Sequence, residues 1–290
     1  MIFEYDFMVR ALLGALITGL TAPALGTYLV QRRLALIGDG IGHIALTGVG
    51  LALLTGTAPV LVAVIVSAVG ACAVELVRER GKASGDIALA LLFYGGISGG
   101  VFLVTLSSDK TNANLMAYLF GSPLTTSRAD LMVMAVLGAG VLVVTLLLRP
   151  WLFAICHDEE YARVSGLPVR GLNLLLAATT AVTVTVAMRA VGLLLVSALM
   201  VVPVATAQQF TRGFRSTMTS AMVIGFLAAG VGIWVAGAYD TAPGATIVLV
   251  AIAGFTAVAI STSMWRASRR RAAPDHRPVT EEPPEVVLDH

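Results

Sequence analysis

Asp39 and His43 are four positions apart in the apolar, glycine-rich run LALIGDGIGHIALTGVG, residues 34–50, directly after Gln31-Arg32-Arg33. On a helix, positions i and i+4 project from one face, so the spacing puts a carboxylate beside an imidazole. Zinc accepts nitrogen from His and oxygen from Asp, as do manganese and iron. Two donors are too few for a tight closed site, which suits a station that binds and releases a cation. The same residues admit a plainer reading. A helix continuing from Arg33 places Asp39 about 9 Å deeper at a rise of 1.5 Å per residue, within reach of Arg32 or Arg33, and His43 could bond a backbone carbonyl. Ionisable groups in an apolar segment are costly and usually face a cavity.

The elements that must position this pair are membrane helices. The 290-residue chain is 57% hydrophobic and only 12% charged, with a mean hydropathy of +0.88, against about 25% charged residues in a soluble domain. Nine apolar segments can be counted: residues 8–30, 35–56, 58–77, 86–106, 129–149, 171–189, 191–208, 217–237 and 243–264. Most are long enough to cross a hydrocarbon core of about 30 Å as a helix. Lipid admits only helices or closed barrels, so the reading is an all-α polytopic membrane protein of eight or nine crossings. The second and seventh segments are short or interrupted by Gly or Pro and are expected to be broken.

Charge suggests the orientation. With the loop after the first segment in the cytosol, that side collects Arg32, Arg33, Arg78, Arg80, Lys82, Arg149, Arg163, Arg170, Arg212, Arg215 and the C-terminal arginines 266, 269, 270, 271 and 277. The other side keeps Arg10, Lys110, Arg128 and Arg189. This positive-inside bias predicts an outer N-terminus, a cytosolic C-terminus and an odd number of crossings. The acidic start, with Glu4 and Asp6, does not suit a cleaved signal peptide. A net charge of +2 gives no ground for a nucleic-acid partner. Cys72 and Cys156 are expected as free thiols.

In the loop after Pro150, residues 158–165 (DEEYARVS) read as a short amphipathic helix closed by Gly166 and Pro168. It is either a polar connector or a docking helix for a cytosolic partner. GISGG, residues 96–100, fits a serine-nucleophile pattern around Ser98. A serine nucleophile needs a base, and the later histidines, His157, His276 and His290, lie outside membrane segments. Gly96 and Gly100 read better as a small-residue packing face. No phosphate-binding loop occurs, so uphill transport would draw on an ion gradient or on another subunit.

Three stretches, QRRLALIGDGIGHIALTGVGLAL (31–53), NLMAYLFGSPL (114–124) and YDTAPGATIVL (239–249), closely resemble the integral-membrane permease of bacterial metal-ion (zinc/manganese/iron) ABC importers, over about residues 8–265. The resemblance implies the permease of a type II importer in the bacterial inner membrane, with a transmembrane domain at 1–265, whereas the composition of residues 266–290, basic and then Pro-rich, reads as a disordered cytosolic tail that is not typical of the family. It implies a second copy, a separate cytosolic ATPase and an extracytoplasmic metal-binding protein as partners. It implies no resident cofactor but a transported Zn²⁺, Mn²⁺ or Fe²⁺, with zinc expected first. By the same resemblance Asp39 and His43 hold the metal. A coupling helix at about 157–168 uses Glu159, Tyr161, Ala162, Gly166 and Leu167. The orientation read from charge puts Tyr239, Asp240 and Gly244 on the outer side, where a binding protein could contact them or a turn could simply need them. The chain departs from the family pattern beside the histidine, with Gly42 before it and Ile44 after it. Two other readings of the whole chain are a proton-coupled metal transporter and an intramembrane serine protease.

Overall fold

Residues 6–79, 85–107, 121 and 127–272 are described by the structure, a computed structural model. Among them are eleven helices and no strand: α1 Asp6–Gln31, α2 Ile37–Thr55, α3 Pro59–Glu79, α4 Gly85–Leu106, α5 Arg128–Leu147, α6 Arg149–His157, α7 Glu159–Val164, α8 Val169–Val191, α9 Leu193–Gln208, α10 Phe214–Tyr239 and α11 Pro243–Ala272. Eight are long and apolar enough to cross a membrane, and α9 is a shorter apolar helix. Its 16 residues span about 24 Å at 1.5 Å per residue, less than a full hydrocarbon core.

The breaks follow local chemistry. Gly192 has φ 88° and ψ 151°, a region open to glycine alone, and it separates α8 from α9. Pro203 lies inside α9 and supplies no backbone N–H there. The expectation of a broken second segment is corrected. α2 runs unbroken from Ile37 to Thr55 and ends on Gly56 in the left-handed conformation, φ 67°, the usual helix stop. The interruption lies before it, at residues 32–36, where Arg33 has φ 60°. α5 opens on a capping box in which Ser127 Oγ accepts from the Asp130 N–H and the Asp130 carboxylate accepts from the Ser127 N–H. The expected connector after Pro150 contains a helix of its own, α6, with Pro150 in its first turn.

Burial separates the helices into a centre and a shell. α1, α2 and α8 bury most of their spans, whereas α3, α4, α5 and α11 bury less than a quarter of theirs. The uncovered side chains are large and apolar, such as Leu61, Val69, Leu91, Met132 and Leu249, as a lipid-facing surface requires. α1 packs on α10, α9, α5 and α8, while α2 packs on α4, α3 and α8. Polar ties cross this interior. Tyr28 Oη donates to the Thr145 carbonyl at 2.6 Å, and the Ser67 and Thr185 hydroxyls meet at 2.8 Å. Buried Glu75 is held by Arg78, at 2.9 and 2.6 Å.

Ion pairs mark the two ends of the bundle. At one end Asp6 approaches Arg128 at 3.7 Å, joining the first turns of α1 and α5. At the other, Arg32 pairs with Glu159 at 2.9 Å and Arg170 with Glu79 at 3.3 Å, joining the ends of α1 and α3 to α7 and α8. The basic run 266–271, expected in the tail, continues α11 as far as Ala272. Residues 273–290, with His276 and His290, lie outside the described residues.

Candidate functional site

α2 places Asp39 and His43 one turn apart, with Asp39 Oδ1 3.9 Å from His43 Nε2. That is too long for a hydrogen bond. The Asp39 side chain is 26% exposed and that of His43 only 9%. Asp39 lines an open cavity of about 240 Å³ with Leu36, Leu89, Ala90, Phe93 and Tyr94, between the start of α2 and α4. Phe93 meets the His43 ring edge-on, with centroids 4.5 Å apart. Ser197 of α9 places its hydroxyl 3.4 Å from Asp39 Oδ1. His43 Nδ1 is buried and has no hydrogen-bond partner.

Neither plainer reading of the pair is realised. Arg32 turns away from Asp39, giving Nη1 to Asn173 at 2.8 Å and Nη2 to Glu159 at 2.9 Å. Among the described residues no ion pair joins Asp39 to Arg33. His43 reaches no backbone carbonyl, since one ring nitrogen lacks a partner and the other faces the carboxylate. An acid and an imidazole facing each other across a gap, beside a cavity, can both donate to one cation. Among the described residues no cluster of three or more His, Cys, Asp or Glu forms within the chain, so two side chains are the donor set of that kind here.

Tight packing fixes the pair. A Cβ on Gly96 would meet the His43 carbonyl carbon at 2.5 Å and the Ile44 nitrogen at 2.6 Å, so α4 lies directly on the α2 backbone. Thr47 Oγ1 closes the contact by donating to the Gly96 carbonyl at 2.8 Å. A Cβ on Gly42 would meet Leu193 Cδ1 at 1.9 Å, which brings the start of α9 against the same turn. GISGG is therefore a packing face. Its Ser98 is exposed on the other side of α4, and the reading of it as a nucleophile has no support.

The segment after Pro150 is built from its cap outward. Asp158 Oδ1 accepts from the Tyr161 N–H at 2.9 Å and starts α7; Gly166, at φ 80°, follows its end. Ala162 is fully buried and Leu167 packs against the core. Tyr161 and Val164 are 70% and 88% exposed, an outward-facing apolar pair. Glu159 is held by Arg32 on one oxygen and by Arg163 at 3.3 Å on the other. At the distal turn, Asp240 ends α10 in the left-handed conformation, φ 52°, with Tyr239 exposed and Gly244 buried in the first turn of α11. Of the 114–124 stretch only Gly121 is described. It has φ 76° and lies against Val191 and Gly192, at the α8–α9 break.

Cys72 and Cys156 are both free, as expected from their separation. Burial, helped by nearby Glu159 and opposed by Arg32, pushes the Cys156 thiol up to about 12. At pH 8 it should therefore carry about a thousandfold less thiolate than an ordinary cysteine. In a Cys72→Ser background, iodoacetamide labelling of Cys156 in the folded protein should be slower by a comparable factor than in detergent-denatured protein, and equal rates would refute the assignment.

What could not be read along the chain is the set of long-range neighbours. Ser197 is 158 residues from Asp39 and Asn173 is 141 from Arg32. Nothing in the local sequence of either residue marks these pairings.

A bundle of eight candidate spans and a ninth short helix, with an acid–imidazole pair on a packed inner helix and a short capped helix at one end, is the framework of a membrane transporter. Residues 4–262 match the ABC 3 transport family, and the chain belongs to that family. The manganese transport system membrane protein MntC of Halalkalibacterium halodurans is 31% identical over 93% of this chain and 94% of its own length. The chelated iron transport system membrane protein YfeD of Yersinia pestis is 31% identical over 94% and 91%. The high-affinity zinc uptake system membrane protein ZnuB of Haemophilus influenzae is 30% identical over 84% and 94%. Among solved structures, PsaBC from Streptococcus pneumoniae in complex with Fab superposes with a TM-score of 0.79 at 25% identity, covering 88% of this chain and 91% of that one.

Proposed function

We propose that this chain is the pore-forming permease of an ATP-driven importer of divalent transition metal, with zinc as its first cargo, and that Asp39 and His43 hold the ion during passage. The observation that carries the reading is the Asp39–His43 pair itself, 3.9 Å apart and beside an open cavity, in a chain whose relatives are named for manganese, iron and zinc transport. Metal–ligand lengths of about 2.0–2.2 Å put two donors about 3.4 Å apart in tetrahedral geometry and about 3.0 Å apart as octahedral neighbours. The 3.9 Å gap is wider than either value, and a closing motion of about half an ångström or more would seat the ion. With two side-chain donors per chain the grip is loose enough for release, and a second copy across a two-fold axis would supply two more.

In this reading the α7 end faces the cytosol, as does the C-terminus. Tyr161 and Val164 then meet a cytosolic ATPase, while Tyr239, Asp240 and Gly244 face an extracytoplasmic metal-binding protein. Closure of the ATPase dimer pushes α7, and alternating access follows. The test is uptake into proteoliposomes. Zinc should enter only when the permease is reconstituted with its ATPase, its binding protein and ATP, should be insensitive to a protonophore, and should be displaced by excess zinc more effectively than by excess manganese. Uptake by this chain alone, collapsed by the protonophore, would overturn the proposal in favour of proton coupling. More effective displacement by manganese would overturn the assignment of zinc.

A further inference from the structure

We infer that Arg32 is the positioning residue through which movement of α7 reaches the helix bearing Asp39 and His43; this rests on the transport reading above. Its side chain is 7% exposed, and its two terminal nitrogens go to different elements, Nη2 to Glu159 on α7 at 2.9 Å and Nη1 to Asn173 on α8 at 2.8 Å. A guanidinium is planar and its donors are fixed relative to one another, so the three elements are held in one geometry. The other oxygen of Glu159 pairs with Arg163, one turn on in α7, at 3.3 Å, which ties the carboxylate to its own helix.

Between Arg32 and Asp39 the chain is also tight. The Arg32 N–H bonds the Tyr28 carbonyl, the Leu34 N–H bonds Leu29, the Ile37 N–H bonds Leu34 and the Gly40 N–H bonds Leu36. Arg33, at φ 60°, turns the chain between α1 and α2. A shift of Glu159 is therefore delivered to Asp39, in the first turn of α2, through six intervening residues with a hydrogen-bonded turn on either side of that corner. The other inward contacts of this segment, Ala162 and Leu167, are apolar and carry no direction. Among the described residues, Glu159 makes the one ion pair between α7 and the end of α1. A half-buried ion pair is a weak device for stability alone, because desolvation and solvent screening offset its attraction; its directionality suits transmission.

The experiment uses the complete transporter in proteoliposomes and measures ATP hydrolysed per zinc ion imported. Arg32→Gln removes the charge but keeps a donor for Asn173. It should leave ATP hydrolysis near that of the unmodified complex while uptake falls by about tenfold, within the range typical of coupling between sites. Glu159→Gln should lower uptake by a similar factor, and the double variant should import no less than either single variant, since the two act as a unit. Arg32→Lys should restore part of the uptake. Equal loss of hydrolysis and uptake would mark Arg32 as a merely structural residue and overturn the inference. So would normal uptake in Arg32→Gln under conditions where Asp39→Ala is inactive. If Asp39→Ala also transports normally, the metal-site reading fails instead. Yield and thermal midpoint of the assembled complex separate misfolding from uncoupling, and a variant that fails to assemble is replaced by the charge exchange Arg32→Glu with Glu159→Arg, which must regain uptake over Arg32→Glu alone.

Discussion

Asp39→Ala and His43→Ala are each expected to reduce metal uptake by about 100-fold or more, since loss of a group one step removed from a metal already costs about 10–100-fold in affinity. Neither change should unfold the protein. Asp39 opens onto a cavity, and its polar contacts are a 3.4 Å approach from Ser197 and the 3.9 Å approach to His43. His43 leaves one ring nitrogen unpaired as it stands, so removing it strands no partner. Membrane insertion and complex assembly should remain normal, with ⁶⁵Zn uptake into cells lacking their own system as the measurement. Asp39→Asn, which preserves size and loses charge, should resemble Asp39→Ala if the carboxylate binds a cation. Full uptake in Asp39→Asn would show that the residue serves packing or hydrogen bonding instead.

Gly96→Ala should be the most damaging single-methyl change in this region, and Gly95→Ala beside it should be harmless. The new Cβ at position 96 would lie 2.5 Å from the His43 carbonyl carbon and 2.8 Å from its oxygen. These are backbone atoms of a packed helix and cannot rotate aside. α4 must move away from α2, which loosens the Thr47 bond to the Gly96 carbonyl. Overpacking of this kind costs about 1–3 kcal/mol, and here it displaces the His43 backbone as well. Position 95 has nothing within 4 Å of an added Cβ, so alanine there removes only glycine's helix penalty, about 1 kcal/mol in its favour. The thermal midpoint in detergent and the rate of uptake should both fall for Gly96→Ala and hold for Gly95→Ala. Equal behaviour of the two would mean that α2 and α4 do not pack as described.

The sequence by itself determined a polytopic helical bundle, because apolar blocks of membrane length with few charges leave no other way to satisfy the backbone in lipid. It also determined the Asp39–His43 pair, since i and i+4 share a helix face whatever surrounds the helix, and the short capped helix of residues 159–164, whose Asp158 and Gly166 act locally. It misplaced the interruption of the second segment. Five glycines in 34–50 suggested a weak helix, but α4, α9 and α3 pack into the space those glycines leave, and α2 is continuous from Ile37 to Thr55.

Only the tertiary structure decided what the charged groups face. Arg32 and Arg33 are the sequence neighbours that could have neutralised Asp39, yet the left-handed turn at Arg33 ends α1, and Arg32 points toward Glu159 and Asn173. Asp39 is thereby left beside a cavity with Ser197 and His43 for company. Helical periodicity sets the direction of a side chain relative to its own helix. The partner it meets depends on which helix packs there, and that is fixed by contacts between residues 49 to 158 positions apart.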